Sequence, residues 1–285
     1  MKYFKQWRTK IGLILIIIIA LSFLLFKASF YYQIRSYVAM YFYSKIEMKN
    51  SVFKEQNINL EIPGGSETKK RDWFPYVLAF NDEKGFSNYL GRDVSLSILY
   101  NFGAFNWKSS SSTIFEVDSP YFNSFYGAYV VKENSSGQTF GFQDNGEPNI
   151  KEILALAEYD YKYLVLQGLG CPAEKLRMEV LDFDFTQDIE YLDREGWTEI
   201  NALLLANSVE HRYKGPKRAY IQYGNPRKKE AKQEDFRLII INGKVYAKYF
   251  PEFESTLLFY ILSPNMDTIE ECEREILSKS RIYKS

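Results

Sequence analysis

From Ile11 to Phe26 the chain reads IGLILIIIIALSFLLF, sixteen residues without a charge. An apolar helix rises about 1.5 Å per residue, so about 20 residues cross a bilayer core. Lys27 does not end such a span, because its stem can lie along lipid while the ammonium reaches the interface. Ala28 to Tyr32 then extend it and supply an aromatic belt. The pattern predicts a transmembrane anchor over 11–32, with Ile11 and Phe26 bounding its apolar run. Lys2, Lys5, Arg8 and Lys10 precede it, and the first acid of the chain is Glu47. Positive charge is retained on the cytoplasmic side, so residues 1–10 are expected inside and the C-terminal part outside. A cleaved signal peptide is the rival. Its apolar run would sit at the long end for that class, and no small-x-small site follows, so the anchor is read as uncleaved.

The apolar spacing then changes to a single stripe. Phe30, Tyr31, Ile34, Tyr37, Val38, Tyr41, Phe42 and Ile46 recur at i, i+3, i+4 and i+7, which predicts an amphipathic helical stem over 33–57, ending near Asn50 to Asn57. The stripe could be covered by the protein's own exterior domain, a membrane surface, a second copy, or another membrane helix. Ile34, Tyr37 and Tyr41 are its candidate contact residues.

Residues 58–285 read as one exterior domain. Strands are expected at Asn59–Ile62, Trp73–Phe80, Val94–Phe105, Tyr163–Gly168, Leu176–Phe185, Ala219–Tyr223 and Ser255–Leu262. Asn81–Asp93 reads as turns, with Gly85 and Gly91. Phe125–Lys132 and Gln138–Gln143 flank a polar turn ending in Gly137, a hairpin pattern. Asn242-Gly243 between Phe236–Ile241 and Lys244–Phe250 predicts a second hairpin, because Asn-Gly supplies the positive φ pair of a tight turn. Helices are expected at Ile150–Tyr159, at Thr198–His211, and from Asp267 to the end. There Asp267-x-x-Glu270 resembles a capping box, and Ile269, Cys272, Ile276 and Leu277 form the buried stripe. The elements do not alternate as β-α units. The expected fold is therefore α+β with mainly antiparallel sheet behind a transmembrane helix and stem. Composition shifts near 145–150, where the domain could divide.

Charge refines this picture. Lys and Arg number 36, five of them before residue 28, and all 36 Asp and Glu lie at Glu47 or beyond, leaving the remainder net −5. A mildly acidic exterior lacks the basic footprint that nucleic acid requires. Aromatic residues make up 17%, which suits half-buried pleated surfaces; a glycan-binding platform using Trp73 or Trp107 is the alternative. Cys171 and Cys272 are the two cysteines. Outside the cytoplasm they could pair, and two separate buried thiols fit equally.

One segment carries a chemical pattern: Val180-Leu181-Asp182-Phe183-Asp184-Phe185-Thr186. Alternate strand residues share a face, so Asp182 and Asp184 could present two carboxylates to one divalent cation. The segment resembles the first motif of the haloacid-dehalogenase phosphohydrolases, Asp-x-Asp-x-Thr. That resemblance implies Asp182 as nucleophile and Asp184 as acid/base. It is also similar to the metal-binding Asp-x-Asp of glycosyltransferases. Phe185 stands where the phosphohydrolase motif has Gly, and no later Gly-Asp-x-x-x-Asp follows. A half-buried strand with a wet polar face gives the same alternation. His211, the single histidine, sits at an expected helix end, where the terminal carbonyls favour a cation. Gly-x-Ser-x-Gly, the P-loop, His-Glu-x-x-His and Cys-x-x-Cys are missing from the sequence. No cofactor and no metal site is therefore expected. The sequence is read as a single-pass, membrane-anchored exterior protein that acts by binding or association, as an accessory, sensor or immunity-type component. Its partners would be the bilayer and a membrane protein or second copy met through the stem. A membrane-anchored metal-dependent hydrolase or transferase using Asp182 and Asp184 is the alternative, and a glycan-binding module a further one.

Overall fold

The computed structural model describes residues 2–27, 41–63, 77–101, 105–106, 111–115, 117–135, 137–210 and 236–284. The fold is mixed α+β, with antiparallel sheets and few helices. Helix α1 runs Lys2–Lys27, and α2 covers 41–49. Ser51 separates α2 from the short α3, Val52–Glu55: its hydroxyl donates to the Met48 carbonyl at 2.8 Å and accepts from the Lys54 N–H at 3.3 Å. This side chain satisfies groups at both helix ends, as capping serines do.

Strands β1 (Ile58–Glu61), β2 (Val77–Asn81), β3 (Val94–Asn101), β4 (Phe105–Asn106), β5 (Ser111–Ser112), β6 (Phe125–Glu133), β7 (Met178–Tyr191), β8 (Arg194–Asn207), β9 (Leu238–Phe250), β10 (Ser255–Ser263) and β11 (Arg281–Lys284) follow. Seven of them form one sheet in the order β2-β3-β6-β10-β9-β8-β7; β1 pairs with β11, and β4 with β5. The large sheet takes strands from both sides of residues 145–150. Its two faces each carry a core. On one lie Leu96, Ile98, Tyr129, Ile200, Leu204 and Leu258, covered by α4 (Glu83–Leu90), α5 (Ile150–Tyr159) and the π-helical turns Asp160–Leu166 that continue α5. On the other lie Tyr126, Trp197, Tyr246 and Phe259, covered by α3, α6 (Met266–Glu275) and the β1–β11 ribbon. Helix α5 begins where expected, with Asn149 accepting from the Glu152 N–H. Arg92 ties Glu152 to Glu133 on β6 and so fixes α5 against the sheet.

This double coverage explains where the pattern misleads. A strand buried on both faces shows no alternation. Thr198–His211 is expected to be helical, yet Thr198–Asn207 belongs to β8, because Ile200 and Leu204 face one core while Trp197 faces the other. The Asn242-Gly243 hairpin does not form. Strand β9 passes straight through it, with Asn242 opposite Leu203 and Ser263, and Gly243 opposite Ala202 and Leu262. Pairing on both edges holds Gly243 extended. The tight hairpin is instead at Leu192 and Asp193, whose φ values are 54° and 56°. Phe125–Lys132 and Gln138–Gln143 do not pair either. Strand β6 is already flanked by β3 and β10, and Phe140 inserts into the core. Tyr163–Gly168 is no strand: Tyr161, Val165, Leu166 and Leu169 keep a helical spacing against the sheet. Asn81–Asp93 holds α4, capped by Asp82 and closed by Gly91 at φ 68°. Helix α6 is capped by Asn265, whose side chain accepts from the Asp267 N–H at 3.0 Å, and the chain continues past it into β11. Ile269, Cys272, Ile276 and Leu277 are buried as expected. Trp73, Ala219–Tyr223 and His211 lie outside the described residues.

Candidate functional site

Strand β7 ends the sheet order, so among the described residues its outer edge has no strand beside it. Cross-strand pairing fixes its two rows, since paired residues share a face. Asp182 pairs with Leu203 and Asp184 with Asn201; Phe183 pairs with Ala202 and Phe185 with Ile200. The row of Asp182 and Asp184 therefore shares the face of α6, and the row of Phe183 and Phe185 the face of α5.

On the α6 side a groove of about 330 Å³ lies between the sheet and the helix, lined among others by Asp182, Asp184, Asn201, Lys244, Met266 and Glu273. Asp184 Oδ1 accepts from Asn201 Nδ2 at 3.0 Å, and Asp182 Oδ1 accepts from the Phe183 N–H at 2.9 Å. Lys244 Nζ stands between Glu273 at 2.9 Å and Glu199 at 3.2 Å. Burial pulls the Lys244 ammonium down, but the two carboxylates outweigh it and hold its pKa above the ordinary lysine value. The Tyr246 phenol donates to Glu273; burial first, then that carboxylate, push its pKa up. These pairs consume the groove's lysine and one of its acids, Glu273. Among the described residues no group of three His, Cys, Asp or Glu is arranged to hold a metal.

On the α5 side a second groove, about 340 Å³, runs between α5 and β7. Lys151, Leu154, Ala155 and Glu158 line one wall, and Val180, Leu181, Asp182 and Phe183 the other. The helix residues follow one stripe at i, i+3, i+4 and i+7. Leu181, Phe183 and Phe185 are 50%, 43% and 45% exposed. The strand pattern had pointed to an apolar row buried under a wet acidic one; here both rows of β7 are open. The sequence signal for an edge was the charge of the strand itself: five acids from Glu179 to Glu190 and no Lys or Arg.

Sequence reasoning missed Asp160. It opens the π-helical turns and is 3% exposed. The Tyr129 hydroxyl donates to it at 2.6 Å and the Tyr100 hydroxyl donates to its other oxygen. Burial raises its pKa to about 7 against those two hydrogen bonds, which lower it. None of the grooves above reaches it, which marks it as a packed polar centre of the core.

Of the anchor and stem residues, Ile11 is exposed, as are Leu13 to Ile19 and Leu21, at 44–65%. Phe26 lies within α1. Tyr41 is 52% exposed on α2, with Phe42 and Ile46 more so; Ile34 and Tyr37 lie outside the described residues. Among the described residues no helix is long and apolar enough to cross a membrane; the described side chains of α1 cover residues 10–22. Trp107, like Trp73, lies outside the described residues. Tyr89 and Tyr163, 5.8 Å apart between ring centroids, are the exposed aromatic pair beside α5. Comparison with family models, curated proteins and solved structures gave no match.

Proposed function

We propose that this protein is a single-pass, membrane-anchored association protein, with its N-terminus in the cytoplasm and its α+β domain outside, working by binding rather than catalysis. The observation that carries the reading is the aliphatic sheath of α1. Nine large aliphatic side chains from Ile11 to Leu21 are 44–65% exposed. Each costs roughly 1.5–3 kcal/mol when left in water instead of an apolar medium. Neither core of the folded domain uses them, since one begins at Phe86 and the other at Val52. Lipid is the medium that removes this cost. Ile11–Lys27 already rises about 25 Å as a helix, close to the roughly 30 Å of a hydrocarbon core. The basic residues before Ile11 support the orientation.

A binding role is supported by how the acids are deployed. Asp182 and Asp184 face an open groove whose lysine is already paired with two other carboxylates. Catalytic carboxylates are usually held in an enclosed site that perturbs them.

The test is made on membranes carrying the full chain with a C-terminal tag. The protein is expected to stay in the pellet through an alkaline carbonate wash, to lose its tag to protease added outside, and to give a discrete adduct with a lysine cross-linker. Release by carbonate, or a protected tag, overturns the anchoring. Absence of any adduct overturns association. Metal-dependent turnover abolished by Asp182→Ala would replace the reading with an enzyme.

A further inference from the structure

The geometry points to the outer edge of β7 as a strand-addition site: an extended partner segment adds there as an eighth strand, its apolar side chains entering the α5 groove and its basic side chains facing Asp182 and Asp184. This rests on the association reading and names the partner's chemistry.

Three observations converge on it. The edge is free of any described strand over a regular stretch: Asp182 to Thr186 keep unbroken register with β8, and the pairing is irregular before and after. That stretch offers alternate backbone N–H and C=O groups, the template used when a peptide extends a sheet. The edge is also flanked by a groove on each face, so alternate side chains of an added strand, which point to opposite faces, have somewhere to go on both. The two rows differ in character. By their pairing Phe183 and Phe185 share the α5 side with Ala202 and Ile200, and Asp182 and Asp184 the α6 side with Leu203 and Asn201; Leu181, at the bulge, lines the α5 groove with Leu154 and Ala155 across it.

Charge selects the occupant. Edge acids are a common device against strand pairing, and on β7 they act against a second copy. An antiparallel β7 pair centred on Phe183 would set Asp182 directly opposite Asp184, and like charges in that position are destabilising. A merely protected edge does not account for the half-exposed Leu181, Phe183 and Phe185 beside the same backbone, because large exposed apolar patches mark contact sites. A segment alternating apolar with Lys or Arg satisfies both rows and meets the acids with opposite charge.

The experiment is hydrogen–deuterium exchange, read by mass spectrometry, on the full chain in mild detergent. The probes are synthetic peptides of about nine residues that alternate Val with Lys, alternate Val with Glu, or hold the first composition in blocks. The alternating Lys peptide is expected to slow exchange across 178–187 by at least ~5-fold, with the Glu and block peptides inactive. Asp182→Lys with Asp184→Lys, both exposed and outside the cores, is expected to transfer the preference to the Glu peptide. Phe183→Lys is expected to abolish protection without lowering the melting temperature. The site is overturned if β7 is already protected without peptide, which would mean that another part of the chain or a second copy covers it. Protection indifferent to peptide charge, or confined to other elements, overturns it too. Should the peptides fail while the membrane cross-linking still gives an adduct, the β7 site alone falls; failure of both removes the association reading as well.

Discussion

Asp160 sets the clearest expectation at the scale of single residues. A carboxyl whose pKa is about 7 in the folded chain and ordinary when unfolded binds its proton more tightly in the native state. Stability from this group is therefore greatest below the unfolded pKa and is lost as pH rises towards 7. The loss between pH 5 and 8 amounts to roughly 2–3 kcal/mol by linkage. Asp160→Asn keeps an acceptor for Tyr100 and Tyr129 and removes the titration. Its stability relative to wild type should climb by about that amount from pH 5 to 8 in urea titrations, and a flat difference would refute the assignment. The cysteines give a second test. Cys171 belongs to one core and Cys272 to the other, both free and buried, so the sheet separates them and they do not pair. Burial pushes the Cys171 thiol up to about 11 and the Cys272 thiol well above its usual range. Since the thiolate is the reactive form, neither should react with a thiol reagent at pH 8 until denaturant is added, when two equivalents should appear at once. Rapid reaction of either in the native protein would contradict its burial.

At the scale of elements, two glycines separate a strand interior from a turn. Gly127 sits in β6, and a Cβ there would overlap the Leu99 carbonyl and lie 3.1 Å from the Tyr260 ring. Backbone cannot yield as a side chain can, so Gly127→Ala should cost about 2–4 kcal/mol. Gly243 would instead meet the end of the Leu262 side chain at 3.0 Å, and its backbone is extended, so Gly243→Ala should cost about 1 kcal/mol or less. If thermal melts show Gly243→Ala to be the worse of the two, the hairpin that Asn-Gly implies is the true structure. The contrast also shows what was legible beforehand. Helix α5, the strands β1, β3 and β10 and the α+β class were readable from spacing and turn residues. Strand β8 was not, because residues such as Trp197 and Ile200 serve opposite cores and erase the alternation that betrays a strand; β9 was read as strand on either side of Asn242-Gly243, and only the turn between was misplaced. The Asp182–Asp184 pair was found by its spacing. That the neighbouring Phe183 and Phe185 would be left open depends on β7 being last in the sheet, a tertiary property whose one local trace is the run of acids without Lys or Arg from Glu179 to Glu190.

For the whole molecule, the question is whether α1 belongs to the fold or to its surroundings. The two core clusters start at Phe86 and at Val52, Met48 adding a partial contact to the second, and the seven-stranded sheet draws on nothing before Val77. Residues 1–40 thus contribute no core side chain among those described, while Ile11 to Leu21 expose the surface that water tolerates least. A chain beginning at residue 41 should be soluble without detergent, retain a cooperative thermal transition, and melt within about 3 °C of the full chain in detergent, a margin that corresponds to about 1 kcal/mol for a domain of this size. The full chain without detergent should aggregate. The two measurements together are decisive. A shortened chain that is unfolded would place α1 in the packing of the domain and remove the case for a lipid partner. A full chain that stays monomeric in plain buffer would mean that something within the protein covers the aliphatic sheath, and the same outcome would leave the membrane reading without its physical cause.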